Sequence, residues 1–510
     1  MDQSVSADAD QSARASTSVL PPIDSTPSFS LGGLNRSYKH QYANIYFVRL
    51  RLLRGAVEKR AHARWKDVQG SPILVPRVLD VLKSRLCYIV GTVYMDMPQK
   101  PNVLADIGRD RSIPPPPPRD KIYSADDIVS LEDESGRIRL IGEPVEKARL
   151  VTGVIIAALG METPNGEFQV VDICPAGLAP QPEAEPSEDN EMEVDDVPSG
   201  DDVWIGVISG LDIGSSSAAD AEMQLLAEYL VGEVGGPDDH LSSRRISRLL
   251  IAGNSLSSTV TSNAVNGESD GVDKKSKRYG HDSASFSPHF TLSLSSLLLD
   301  IGSSMPVHVL PGESDPTGTI LPQQPLPRAM LGGVSSYATF SCETNPTYLR
   351  IASGSDSQNT NSTSSGSQRS YTRTLLINSG QPLNDMFKYL PTPPATRLSI
   401  AESTLRWRHI APTAPDTLWC HPYFTTDPFV VSRTPDVYIV GCQPRFETRL
   451  VSEKGVPGLD GEEADKRCRI VLVPKFSESG VLVLINLRTL EVETVGFSTE
   501  GIDSGGVEEE

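Results

Sequence analysis

The sequence is short of sulfur, of aromatic rings and of positive charge, and each shortage excludes something. Its six cysteines, Cys87, Cys174, Cys342, Cys420, Cys442 and Cys468, are spread over 510 residues with no CxxC pair among them. That density excludes a disulfide scaffold and leads us to expect reduced thiols in a cytosolic or nuclear protein. Aromatic residues make up 6% of the chain. Lys and Arg total 46 against 66 Asp and Glu, a net charge of −20, which rules out a uniformly basic nucleic-acid binder. The longest apolar stretch, Leu150 to Leu159, falls well short of the roughly 20 residues that cross a bilayer. The polar, acidic start MDQSVSADAD is unlike a signal peptide. A soluble, intracellular chain with no membrane association is expected. No phosphate loop of the form GxxxxGKS or GxxxxGKT, no HExxH and no Ser/His/Asp order is visible. The eight histidines are scattered along the chain.

At 510 residues, with 38% hydrophobic residues, 40 Gly and 40 Pro, the chain is expected to hold two or three domains diluted by loops. Its acids are concentrated. Gln181 to Asp202 (QPEAEPSEDNEMEVDDVPSGDD) carries ten acids and no base, and Gly501 to Glu510 adds four more. The remainder is only mildly acidic. Residues 1–37, rich in Ser, Asp and Pro, are expected to be disordered. Residues 38–74 are expected to form an N-terminal helix and connector. Tyr42, Ile45, Val48, Leu52 and Ala56 fall on one helical face, with Arg49, Arg51, Arg54, Lys59 and Arg60 elsewhere. These bases read as a solvated face rather than as a DNA contact.

From 75 to 180 the texture is β. LCYIVGTVYM (86–95), two short runs around Ser135-Gly136, LVTGVIIAALG (150–160) and GEFQVVDIC (166–174) give about five strands. Asn165-Gly166 marks a tight hairpin, and the whole suits a small closed barrel of the OB type. The prolines Pro114–Pro118 read as a stiff connector within it. Residues 181–202 are expected to be an acidic linker and 498–510 an acidic tail. Between them, 203–497 alternates strand and helix: Asp202–Gly210, helix 219–231, Ile246–Gly253, helix 290–301, Met305–Gly312. That alternation begins like a doubly wound α/β sheet. Further strands are expected near 337–342, 374–378, 436–440, 469–473 and 480–487. Ser257–Asp282, with its lysine cluster, and Ser353–Thr372 read as low-complexity loops.

Ligands in open α/β sheets bind at strand ends. Here the ends are Ser209-Gly210-Leu211-Asp212, Ala252-Gly253-Asn254-Ser255, Pro311-Gly312-Glu313-Ser314-Asp315 and Val440-Gly441-Cys442-Gln443-Pro444. Their order resembles the calcineurin-like phosphoesterase domain, a fold that holds two metal ions on His and carboxylate ligands. What the resemblance implies is a site that has kept its glycines and lost its donors. Ser209 and Leu211 stand at the first motif's Asp and His, and Asn254 at the bridging Asp. Glu313 and Ser314 replace Asn and His of the third motif, and Cys442 and Pro444 replace two histidines of the last. No catalytic residue, no metal site and no cofactor is therefore expected; Asp212, Glu313 and Asp315 read as turn residues bonding backbone amides.

A barrel followed by such a domain resembles the B-subunit family of replicative DNA polymerases. The stretches that carry the likeness are QYANIYFVRLRLLR (41–54), SLEDESGRIRL (130–140), AGLAPQ (176–181), LLIAGNSL (249–256) and VLPGESDPTGTILPQQPLP (309–327). RHIAPTAPDTLWCHPYFTTDPFV (408–430) and VYIVGCQPRF (437–446) complete it. PGESDPT, LPQQPL and APTAPDTL are similar to the delta branch of that family. The resemblance implies a fold of OB barrel plus inactive phosphoesterase domain and a nuclear, non-catalytic accessory role in DNA replication and repair. It implies a scaffold between the catalytic subunit of polymerase delta and a third, clamp-recruiting subunit, touching DNA mainly indirectly. The alternatives are a working metal-dependent phosphoesterase or nuclease of the calcineurin-like family, or the small subunit of another replicative polymerase. The barrel strands offer few aromatics, chiefly Tyr88, Tyr94 and Phe168, so tight single-strand binding there is not expected.

Overall fold

A computed structural model describes residues 14–32, 42–101, 119–181, 202–215, 219–257, 288–353, 371–455 and 464–499. The prolines Pro114–Pro118, the interiors of the acidic tract and of both low-complexity inserts, and residues 500–510 lie outside them.

The first strand, β1 (Thr17–Leu20), lies inside the segment expected to be disordered. It pairs antiparallel with residues 350–353, and Arg14 donates to the carbonyls of Leu230, Ser243 and Ile246 at 2.5, 2.7 and 3.0 Å. Phe29 is buried and stacks on Tyr348 at 5.8 Å. Residues 14–32 thus form a strap rather than a tail. A four-residue strand leaves no periodicity to read, and its order comes from the edge it covers.

Helix α1 (Asn44–Trp65) buries Ile45, Val48, Leu53, Val57, Ala61 and Trp65. The expected stripe is corrected here: Tyr42 and Leu52 are exposed, and Arg49 is buried. Trp65 and Arg49 set this rotation, one by bulk and the other by its ion pair. The inner face packs on the outside of a barrel through Tyr88, Val90, Ile155 and Ala157. The barrel strands are β2 (Ile73–Leu74), β3 (Cys87–Asp96), β4 (Ile128–Glu132), β5 (Arg137–Ile141), β6 (Ile155–Glu162) and β7 (Phe168–Pro175), with α2 (Glu143–Lys147) between β5 and β6. β3 pairs with β6 over Cys87–Thr92 and with β4 over Thr92–Asp96, which closes the cylinder. Gly91 sits where the strand bends; a Cβ there would stand 2.5 Å from the Glu132 carbonyl. Asp133 accepts from the amides of Ser135 and Gly136 and shapes the first expected hairpin.

The second unit holds two sheets rather than one doubly wound sheet. β8 (Trp204–Ile208), β9 (Ile246–Ala252), β10 (Val307–Leu310) and β11 (Phe340–Cys342) run parallel. They are covered outside by α3 (Asp220–Val231), α4 (Pro237–Arg245) and α5 (Pro288–Ser304). β12 (Thr347–Ser353), β13 (Thr372–Asn378), β14 (Val437–Gln443), β15 (Glu447–Glu453) and β16 (Lys466–Pro474) form the second sheet, in the order β1-β12-β13-β14-β16-β15. The chain crosses there through α6 (Gln381–Tyr389) and α7 (Arg397–Trp407), then returns by α8 (Phe476–Ser479) to β17 (Val481–Asn486) and β18 (Val492–Gly496) beside β8. The continuous apolar strands VWIGVI and VYIV are buried on both faces, as such runs predict. Ile205, Val207 and Leu250 meet Leu375, Ile377 and Ile439 between the sheets.

One apolar cluster joins the barrel interior (Ile156, Phe168) to the helices of the second sheet (Met386, Ile400, Leu405). Arg49, with 0% of its side chain exposed, is set through this junction. It donates to Asp427 at 2.9 Å, to Gly153 of the barrel at 3.2 Å, and to Pro412 and Ala414 at 2.7 and 2.9 Å. His409 Nε2 shares Asp427 at 2.9 Å. Arg408 binds the carbonyls of Gly177 and Leu178 at 2.8 and 2.9 Å, and Arg60 and Arg406 grip Glu453. Burial, then Arg49, pushes His409 down to about 4. His409 and Arg49 together hold Asp427 below the usual carboxylate range despite its burial.

Removing one member of a buried charge group strands the others, so Asp427→Ala should lower stability by about 3–5 kcal/mol, read from urea unfolding. His409 carries the pH dependence. Its folded value of about 4 lies below its ordinary 6.5, so the unfolded chain takes up the proton first. The stabilisation from neutral His409 is complete above pH 6.5 and declines as pH falls toward 4. His409→Gln should remove that decline, so that wild type loses ground to the variant steadily on acidification.

Candidate functional site

The four strand ends singled out in the sequence converge at one end of the sandwich, where the parallel strands finish. Backbone bonds lace them together: Gly210 N to Gly253 O at 2.9 Å, Asp212 N to Asn254 O at 3.0 Å, Phe476 N to Ser209 O at 2.7 Å. Gly253 has φ +93°, and a Cβ on it would lie 2.3 Å from that of Ser379. Three non-glycine residues at these tips, Asp212, Asn254 and Cys442, also hold left-handed backbone, with φ of 46°, 54° and 51°. Such conformations cost about 1–3 kcal/mol each and persist only where the surroundings enforce them.

The side chains at the predicted positions are spent on the protein itself. Ser209 Oγ lies 3.2 and 3.0 Å from the Val473 and Pro474 carbonyls and accepts the Cys442 amide at 2.8 Å. Leu211 is buried and apolar. Asn254 Oδ1 accepts the Ser314 amide at 3.3 Å, and Ser314 Oγ donates to the Leu256 carbonyl at 2.6 Å. The Cys442 thiol lies against the Ala252 and Gly253 carbonyls, and burial beside Asp212 and Asp315 pushes it above the ordinary thiol range, away from the thiolate a metal needs. Glu313 and Pro444 are exposed at the rim. Among the described residues no group of three or more His, Cys, Asp or Glu side chains is placed to hold a metal ion. This donor set does not fit the two-metal cage of a phosphoesterase.

Asp315 is the centre of the cluster. Its carboxylate accepts the amides of Leu256 at 2.9 Å and Gly312 at 2.7 Å. Full burial pushes it up to about 6, while these amides pull it back down. Asp212 is raised by burial and opposed by Lys475; Ser477 donates to it at 3.2 Å. The sequence marks both acids as turn residues. The charge group of Arg49, His409 and Asp427 escapes sequence reasoning, because its members lie far apart in the chain and no local spacing links them.

The barrel offers no open stacking platform on the aromatics named from sequence. Tyr88 and Phe168 are buried. The Tyr94 ring is covered by Arg137 at 4.0 Å and approached by Lys100 at 5.4 Å.

Comparison with known proteins fits this architecture. A family model described as the DNA polymerase delta subunit OB-fold domain matches residues 41–173, and one described as the DNA polymerase alpha/epsilon B subunit matches 205–448. The DNA polymerase delta small subunit of Arabidopsis thaliana is 36% identical over 460 residues, 90% of this chain and 92% of that protein. The chain belongs to the DNA polymerase delta small-subunit family. The member from Saccharomyces cerevisiae is 33% identical over 499 residues, covering 92% of this chain and 91% of its own length. The Drosophila melanogaster protein named DNA polymerase delta subunit 2 is 28% identical, covering 91% and 94%. Both family domains are thus present: an N-terminal OB-fold, here the closed barrel with α1, and the second unit, which carries the strand-end cluster.

Asp315→Ala should leave two buried amides without an acceptor, at about 1–3 kcal/mol for each. The expected outcome is a clear fall in melting temperature with the far-UV spectrum unchanged at about 20 °C.

Proposed function

We propose that the chain works as a non-catalytic scaffold whose phosphoesterase-like domain has become a docking body. As a member of its family it is an accessory subunit of DNA polymerase delta in DNA replication. It acts in complex with the catalytic subunit, in the nucleus and in repair synthesis as well. It bridges that subunit to a third, clamp-recruiting one, and meets DNA mainly through them.

The calcineurin-like reading is supported by two sheets packed face to face between helices, with four strand-end loops gathered at the carboxyl ends of the parallel strands. The observation that carries the loss of chemistry is the closure of those loops. Ser209, Asn254, Ser314 and Asp315 are bonded to backbone groups of neighbouring tips, where an enzyme would turn its donors outward. A scaffold needs a surface of fixed shape, and the buried Arg49 junction supplies one across both domains.

The purified chain should release no nitrophenol from a bis-nitrophenyl phosphodiester with manganese present, and should take up no stoichiometric metal. It should co-purify with the polymerase catalytic chain at a one-to-one ratio. Turnover that disappears in Asp212→Asn would return the domain to the enzymes, and a chain found always alone would remove the scaffold role.

A further inference from the structure

Helix α1 sorts its positive charges into two groups. On its buried face Arg49 pairs with Asp427, and on its flanks Arg54 pairs with Glu134, Arg60 with Glu453 and Arg64 with Asp172. On its outer face, Arg51, Lys59 and Lys66 are exposed and make no ion pair among the described residues. At about 100° per residue, Phe47, Arg51, Lys59 and Lys66 fall within roughly a third of the helix circumference and span about 28 Å along its axis. Glu58, the one acid within α1, is turned to Arg54, and Asp67 follows Lys66 just beyond the helix.

The stripe also carries a ring. Phe47 is 53% exposed on it. One turn earlier, Asn44 Nδ2 donates to the Phe424 carbonyl at 2.6 Å, which brings a second exposed aromatic residue against the same end of the helix. Unpaired cations on a chain of net charge −20 attract a polyanion locally. The solvent-facing Phe47 ring among them suits a polyanion whose bases are free to stack. An acidic peptide would use the cations and leave the Phe47 ring idle; a duplex would hide its bases.

We infer that the outer face of α1 is a low-affinity track for single-stranded DNA, with Phe47 as a stacking platform and Arg51, Lys59 and Lys66 as phosphate contacts. The track lies on the helix, outside the barrel, and three cations make it a weak site that gains weight only inside a complex already on DNA. It rests on the replication setting proposed above.

The test is fluorescence anisotropy of a labelled dT20 oligonucleotide with the full chain at about 20 mM and about 150 mM salt. Wild type should bind in the micromolar range or weaker at low salt, with a log–log salt slope near −2, about 0.7 for each of three contacts. The triple variant Arg51→Glu, Lys59→Glu, Lys66→Glu should lose at least tenfold with its melting temperature unchanged. Phe47→Ala should lose about fivefold while the salt slope stays the same. No measurable wild-type binding at the lower salt, or equal binding by the triple variant, overturns the inference. So does a Phe47→Ala protein that binds as wild type, which would assign the stripe to an acidic protein. Co-purification of the triple variant with the catalytic chain separates the two proposals: retained assembly with lost oligonucleotide binding supports the track, and lost assembly makes the stripe a subunit interface.

Discussion

A single guanidinium fixes the relation between the two halves of this molecule. Arg49 enters from α1, takes one carbonyl from the barrel and two from the second unit, and meets Asp427 in a space closed to solvent. A charge buried in this way is tolerated only while every partner is in place. The barrel cannot swing away from the sandwich without stranding the cation, the carboxylate and the histidine that shares it. The shared apolar cluster adds area, but the charge group adds direction, because its bonds exist in one arrangement only. For a protein of the delta small-subunit family this means that a partner touching both domains meets a preformed surface and has no hinge to immobilise.

The strand-end cluster applies the same logic at smaller scale. Loops at the carboxyl ends of parallel strands are where α/β proteins place their ligands, and enzymes often hold them together with cations. Here an anion, the carboxylate of Asp315, gathers the Leu256 amide from the neighbouring tip and the Gly312 amide from its own, and Ser209 and Asn254 tie the others. The left-handed backbone at Asp212, Asn254 and Cys442 bends these tips sharply. The strain is sustained by packing such as that of Gly253 on Ser379. The inward-facing groups of Ser209, Asn254, Ser314 and Asp315 tie the tips to one another.

Legibility follows the range of each interaction. The barrel hairpins are readable because Ser135-Gly136 and Asn165-Gly166 act within four residues, and the buried strands because VWIGVI and VYIV are apolar throughout. The positions of the strand ends are readable from their glycines. The division into two sheets is not, since nothing local in Thr374–Asn378 says which strand it will pair with. α6 and α7 do carry start signals, Pro382 in the first turn and the Thr396–Ser399 capping box, but at 9 and 11 residues each is too short for its periodicity to stand out. β1 is invisible for a related reason: a four-residue strand exists only by virtue of the edge at 350–353. Arg49 reads as part of a basic surface because sequence gives its charge and not its partner 378 residues away.

The strap has a consequence for how the molecule is approached. Arg14 is fastened to the carbonyl of Leu230 near the last turn of α3, and Thr499 Oγ1 donates to Glu222 near its first turn. Both ends of the described chain are therefore anchored to one helix, at points about 12 Å apart along its axis. A fluorophore attached at residue 14 and one attached at residue 499 would both start from α3.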